Sequence, residues 1–188
     1  MSEDLRMITE QADRCKKIVG GLLHFARQNK VLLQPVDVRQ LISRSLQSAP
    51  PPQGINLRVA HNLSSPIVEV DGDQIIQVMV NLLSNAYAAM PKGGDLEIFT
   101  SATDENLQIR IHDSGVGIAP EFRKKIFEPF FTTKEVGKGT GLGLAVTYGI
   151  VKMHNGDIRI DSNNDPASGP TGTTFTIVLP RRKAEEKN

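Results

Sequence analysis

The sequence predicts an α+β fold, a two-layer α/β sandwich in which a mixed sheet is covered by about three helices and preceded by one long helix. Three observations predict it. Runs of strand-like residues, several with period-two alternation, recur at residues 55–60, 67–70, 96–102, 107–113, 158–162 and 173–179. Helical patterns through Leu46, to Met90 and to His154 supply about three helices to cover a sheet. At the N-terminus, Leu5, Ala12, Val19 and Ala26 stand seven apart with Ile8, Cys15 and Leu22 between them, the seam of a bundle or coiled coil over residues 2–30. Ile18, Leu23 and Phe25 widen that stripe, which predicts a bundle of more than two helices.

The elements follow in order. Gln34-Pro35 ends the first helical pattern, because the residue before proline is pushed out of the helical region, and residues 31–36 read as a linker. Asp37 is the expected N-cap of a short helix through Leu41, Ile42 and Leu46 that stops before Pro50-Pro51-Pro52. After two strand runs, Asp71 or Asp73 caps a strongly apolar helix that reaches Met90 and is ended by Pro91-Lys92-Gly93-Gly94. Turn-prone residues 103–106 join the next two runs into a hairpin. Glycine- and threonine-rich sequence from 113 to 143 holds one short helix near 120–126. A further helix then runs to His154 and is closed by Asn155-Gly156. Residues 37–180 form the domain, and 181–188 a charged tail.

The 188 residues, 39% hydrophobic and 23% charged, suit one compact domain with an appendage. Such a domain buries roughly 70% of the surface its unfolded chain exposes, so it requires neither disulfides nor a structural metal. Cys15, the single cysteine, suits a reducing cytosol, and a cytoplasmic location is expected even if the longer protein is membrane-anchored. Twenty-two basic against 21 acidic residues leave a net charge of +1, so no global field points to nucleic acid or anionic lipid. No apolar run approaches the ~20 residues of a bilayer-spanning helix, and no membrane contact is expected here.

Three segments carry the chemistry. Asn81 and Asn85 lie four apart on one face of an apolar helix, and burying an amide without a partner costs roughly 1–3 kcal/mol, so each satisfies the fold or faces a site. Asp113-Ser114-Gly115-Val116-Gly117-Ile118 places a carboxylate at a strand end beside two glycines. That carboxylate suits an exocyclic amine donor, although Asp-x-Gly-x-Gly alone most often marks a tight turn. Gly137-Lys138-Gly139-Thr140-Gly141-Leu142-Gly143-Leu144 opens a helix whose free amides suit phosphate, and the same loop reads equally as a hinge. A P-loop is excluded, because Gly139 and not Ser or Thr follows Lys138. A dinucleotide fingerprint is excluded, because Pro120, Leu142, Leu144 and Val146 stand where glycine or alanine is required.

The ordered set Asn81-x-x-x-Asn85-Ala86, Asp113-x-Gly115-x-Gly117, Phe127 to Lys134, Gly139-x-Gly141-Leu142-Gly143-Leu144 and Gly172-Thr173-Thr174-Phe175 resembles the N, G1, F, G2 and G3 boxes of the histidine kinase catalytic domain. The resemblance covers about residues 37–180 and is closest to nitrogen-regulation-type kinases, with Phe131-Thr132-Thr133-Lys134 shortly before the second glycine box. It implies a Bergerat-type ATP fold, with ATP and Mg²⁺ as cofactors. Asp113 would accept from the adenine amine, Asn85 would hold Mg²⁺ aided by Asn81, and Lys134 with the 137–143 lid would meet the phosphates. Thr173 and Thr174 would line the pocket, and Gly115, Gly117, Ile118, Phe131, Gly139, Thr140, Gly141, Leu142, Gly143 and Leu144 complete the implied nucleotide-contacting set. Asn81, Asn85 and Lys134 form the implied catalytic group. Related gyrase-like ATPases carry a water-activating glutamate where Asn81 stands, so rapid ATP hydrolysis is not expected.

Residues 1–30 resemble the second helix of the family's dimerisation and phosphotransfer domain, through the stretch from Ile18 to Arg27. No segment matches the first helix and its phosphoacceptor histidine, so the chain is expected to begin after it and not to phosphorylate itself at the usual place. The implied partners are the histidine-bearing stalk helix of the full-length kinase, a response regulator receiver domain, and a second copy through Leu5, Ile8, Ala12, Cys15 and Val19. His24 is followed by Phe25 and reads as structural, as do His61, His112 and His154. Two other functions fit less well: a nucleotide-sensing interaction module without turnover, and an anti-sigma-type serine kinase, disfavoured by the stalk-like helix and by residues 127–134.

Overall fold

The computed structural model describes residues 31–134 and 139–181. The stalk-helix reading of residues 1–30, the lid positions Gly137 and Lys138, and the tail from 182 lie outside the described residues. In chain order the elements are β1 (Gln34–Asp37), α1 (Val38–Ser48), β2 (Ile55–Asn62), β3 (Ile67–Val70), α2 (Gly72–Ala89), β4 (Gly94–Ala102), β5 (Asn106–Asp113), α3 (Gly143–Met153), β6 (Asp157–Asn163) and β7 (Gly172–Pro180).

Five strands form one sheet in the order β2-β4-β5-β7-β6. The β2–β4 pair is parallel and the other three pairs are antiparallel, so the sheet is mixed as the sequence predicts. The parallel pair requires a crossover, which β3 and α2 supply. The predicted hairpin of β4 and β5 closes over Thr103, whose Oγ1 accepts the amides of Glu105 and Asn106 at 3.3 and 3.1 Å. Alternation then decides the layers. Leu96, Ile98, Leu107, Ile109, Ile111, Phe175, Ile177 and Leu179 are buried on the face that packs on the helices.

α2 is the central helix of that layer, and Ile75, Val78, Met79, Leu82, Leu83 and Ala86 are buried along it at three- and four-residue spacing. Burying each large apolar side chain is worth roughly 1.5–3 kcal/mol, so this face anchors the helix to the sheet. Asp37 caps α1 by accepting from Arg39 N–H at 2.8 Å, and Asp71, not Asp73, caps α2 by accepting from Gln74 N–H at 3.2 Å. Asp73 instead makes an exposed pair with Arg44 at 3.4 Å. α3 ends as predicted at Asn155-Gly156: Asn155 is left-handed at φ 57°, and the Gly156 amide returns to the Val151 carbonyl at 2.9 Å.

Two local expectations change. Part of the expected linker is β1, which pairs antiparallel with β3 from Gln34↔Val70 to Asp37↔Ile67, and the Leu32 amide adds a 3.1 Å bond to Asp71 Oδ2. Four residues with a single apolar side chain, Val36, are too few for alternation to show. The expected helix near residues 120–126 is only a 3₁₀ turn over Pro120–Phe122 followed by isolated turns.

Candidate nucleotide site

Asp113 ends β5 and is 4% exposed. Burial pushes its carboxyl above the ordinary range, opposed by the Gly115 amide, the His112 side chain and the Thr173 amide. The Gly115 N–H donates to Oδ1 at 3.0 Å. The glycines here serve the protein's own packing. A Cβ on Gly115 would come within 2.7 Å of Ala89, and one on Gly117, at φ 71°, would overlap the Asn163 carbonyl. The Val116 amide bonds the Ala89 carbonyl at 3.2 Å, so the loop is seated on the C-terminal end of α2. Thr173 lies opposite Asp113 on β7 and is buried. The implied role of Thr174 is corrected: successive strand residues point to opposite faces, and its Oγ1 meets His112 Nδ1 at 2.9 Å across the sheet from Asp113.

The N-terminal end of α3 meets the other end of that α2 face. Leu142 occupies the N-cap position with no side-chain cap, so among the described residues the first amides of α3 have no capping partner. The glycine segment therefore stays outside the helix until Gly143. Asn81 Nδ2 donates to the Gly143 carbonyl at 3.0 Å and to Thr147 Oγ1 at 3.4 Å, tying α2 to the first turn of α3.

Between these ends stands Asn85, half-buried, with Lys134 Nζ at a long 3.5 Å from its Oδ1. A Cβ on Gly139 would sit 2.8 Å from Thr132 Oγ1. Phe130 and Gly141 then pair in left-handed conformations, φ 67° and 66°, with the Phe130 amide donating to the Gly141 carbonyl at 2.9 Å. A Cβ on Gly141 would overlap the Phe130 backbone. Thr140 Oγ1 accepts from Leu142 N–H at 3.4 Å. Phe131 stacks on Phe122 at 5.6 Å between centroids, and Ile118, Phe131 and Leu144 pack against the core.

Residues 70–183 match the family described as histidine kinase-, DNA gyrase B- and HSP90-like ATPases. The chain belongs to this family. It is 36% identical over 178 residues to the sensor histidine kinase ZraS of Escherichia coli (strain K12), which covers 93% of this chain and 37% of ZraS. The mycobacterial sensor histidine kinase MprB superposes with a TM-score of 0.69 at 34% identity, covering 80% of this chain and 99% of that structure. Full-length ShkA in complex with AMPPNP superposes with a TM-score of 0.76 at 27% identity, covering 93% of this chain and 37% of that structure. The chain thus spans little more than a third of the length of ZraS.

This histidine kinase-type ATPase domain depends on polar residues that motif reading misses. Ser162 Oγ, buried on β6, accepts from Ile118 N–H at 2.8 Å and lies 2.9 Å from both the Gly172 carbonyl and Thr173 Oγ1. Arg123 grips the same loop, with Nε to the Ile118 carbonyl at 3.3 Å and Nη2 to the Ser162 carbonyl. Thr147 is fully buried beside Asn81. The available signal was a polar residue on an apolar face: Ser162 shares its strand face with Ile158 and Ile160, and Thr147 stands among Val146, Ile150 and Val151. No group of three or more His, Cys, Asp or Glu is placed to hold a metal among the described residues, and no helix among them is long and apolar enough to cross a membrane.

Proposed function

We propose that this domain binds Mg-ATP and transfers its γ-phosphoryl group to a histidine of a sensor kinase stalk, for onward signalling to a response regulator. One observation carries the reading. A single face of α2 touches the Asp113 loop at Ala89 and the uncapped start of α3 at Asn81, eight residues or about 12 Å apart, with Asn85 between. Asp113, with one oxygen taken by Gly115, offers the other to the adenine amine. The free α3 amides and Lys134 receive the phosphates.

Magnesium fits Asn85. Its Oδ1 has only the long Lys134 contact among the described residues, and a neutral carboxamide adds no negative charge beside a triphosphate that supplies most ligands. When bound there, the ion would supply positive charge that offsets the charge developing on the phosphates. In the transfer an imidazole nitrogen attacks the γ-phosphorus, the bond to the β–γ bridging oxygen breaks, and ADP leaves. The residues of α2 that face this site are carboxamides, which cannot take a proton from water, so transfer to protein is favoured over hydrolysis. His154 is not the acceptor, since both of its ring nitrogens are engaged within the fold, by the Ile150 carbonyl and the Asp71 amide. The likeness to nitrogen-regulation-type kinases, dimerisation through the residue 2–30 stripe, and cytoplasmic placement belong to the same proposal.

The test mixes the domain with ATP and a separately supplied helical hairpin bearing the acceptor histidine. Acid-labile phosphohistidine is expected, and Asn85→Ala should reduce its formation by at least about 100-fold while adenosine still binds. ATP binding without any phosphohistidine would overturn the kinase reading in favour of a nucleotide-sensing module.

A further inference from the structure

We propose that Asn81, through its Nδ2 group, is a positioning residue that sets the phosphate-binding end of α3 against α2. The inference rests on the ATP-site reading above. A carboxamide has two N–H donors, and both are used inside the protein, on the Gly143 carbonyl at 3.0 Å and on Thr147 Oγ1 at 3.4 Å. The Gly143 carbonyl already belongs to the first turn of α3, so the Asn81 bond takes its second lone pair. Thr147 is fully buried in an otherwise apolar stretch, which gives its hydroxyl no solvent partner and makes Asn81 part of its satisfaction.

The consequence is geometric. α3 has no side-chain cap among the described residues, and beyond the hold of Gly141 on Phe130 the side chains packed on its first turn help to fix where its amides point. Asn81 is the polar contact that refers this turn to α2, and α2 also carries Asn85. Asn81 thus converts the packing of two helices into a defined distance between the metal-binding oxygen and the phosphate-binding amides. Substitution should weaken every phosphate-bearing ligand, with or without metal.

The experiment titrates adenosine, ADP in EDTA, and ADP with magnesium against the intact chain and its Asn81→Leu and Thr147→Val variants. Near-isosteric Leu and Val preserve packing. The expected result is unchanged adenosine affinity, metal-free ADP weakened about tenfold by Asn81→Leu and about two- to threefold by Thr147→Val, and the same ratios with magnesium present. If Asn81→Leu binds metal-free ADP like the wild type and loses only the magnesium-dependent gain, Asn81 is a metal ligand and the proposal fails. If both variants lose adenosine and ADP alike, the contact merely supports the fold and the proposal also fails. A wild type that binds neither adenosine nor ADP would instead overturn the ATP-site reading itself.

Discussion

Asp113→Asn exchanges one atom and one charge at the buried end of β5. In the native side chain Oδ1 takes the Gly115 amide at 3.0 Å, and the proposed recognition uses Oδ2 as acceptor for the adenine amine. The asparagine keeps Oδ1 on Gly115 and turns Nδ2 toward that amine, donor against donor. Losing a charged acceptor removes about 1.5–3 kcal/mol, and the opposed buried donors add about 1 kcal/mol. The sum, about 2.5–4 kcal/mol, corresponds to roughly 70- to 900-fold weaker nucleotide binding, read by calorimetric titration of ADP.

The pH dependence has a definite sign. Burial first raises the Asp113 carboxyl, so the native state holds this proton more tightly than the unfolded chain. The stability it contributes is fully present below the unfolded value and is lost as pH rises through the folded one. At neutral pH the ionised carboxylate therefore costs stability that asparagine does not, and the free variant should melt no lower than the wild type. Wild-type ADP affinity should fall as pH drops toward the raised carboxyl value, whereas that of Asp113→Asn should not follow it. An Asp113→Asn domain that binds ADP within about threefold of the wild type, or that keeps its pH profile, would refute adenine recognition by Asp113.

Other expectations follow from the same geometry. Ser162→Ala leaves the Ile118 amide without its 2.8 Å acceptor and should cost about 1–3 kcal/mol of stability in denaturant unfolding, with weaker adenosine binding because the loop beyond Asp113 loses its anchor. Gly143→Ala has room for its Cβ, 3.7 Å from the nearest Asn81 atom, so the free domain should be stabilised by about 0.4–1 kcal/mol in thermal unfolding. Its ADP affinity should nevertheless fall while adenosine affinity holds, because the methyl group stands beside the amides offered to phosphate. Unchanged ADP binding would place the phosphates elsewhere.

The sequence by itself determined the local pieces. Period-two alternation marked β4 and β5, short-range capping chemistry marked Asp37 and Asn155-Gly156, and the spacing of Asn81 and Asn85 placed both on one face of α2. These signals are legible because each is carried by residues within a few positions of one another. The ordered glycine and asparagine motifs likewise carry the family resemblance.

Only the tertiary structure decided how those pieces meet. The parallel pairing of β2 with β4, the β1–β3 ribbon and the turn of Thr174 away from Asp113 each depend on a partner far along the chain. So do the partners of Asn81, Thr147 and Ser162, which lie on different elements. Glycines 115 and 117, members of the implied nucleotide-contacting set, are also where backbone passes against Ala89 and Asn163. A sequence records which donors and acceptors a segment carries, but their pairing is set by long-range packing, and that pairing separates the side chains left for the nucleotide from those committed to the fold.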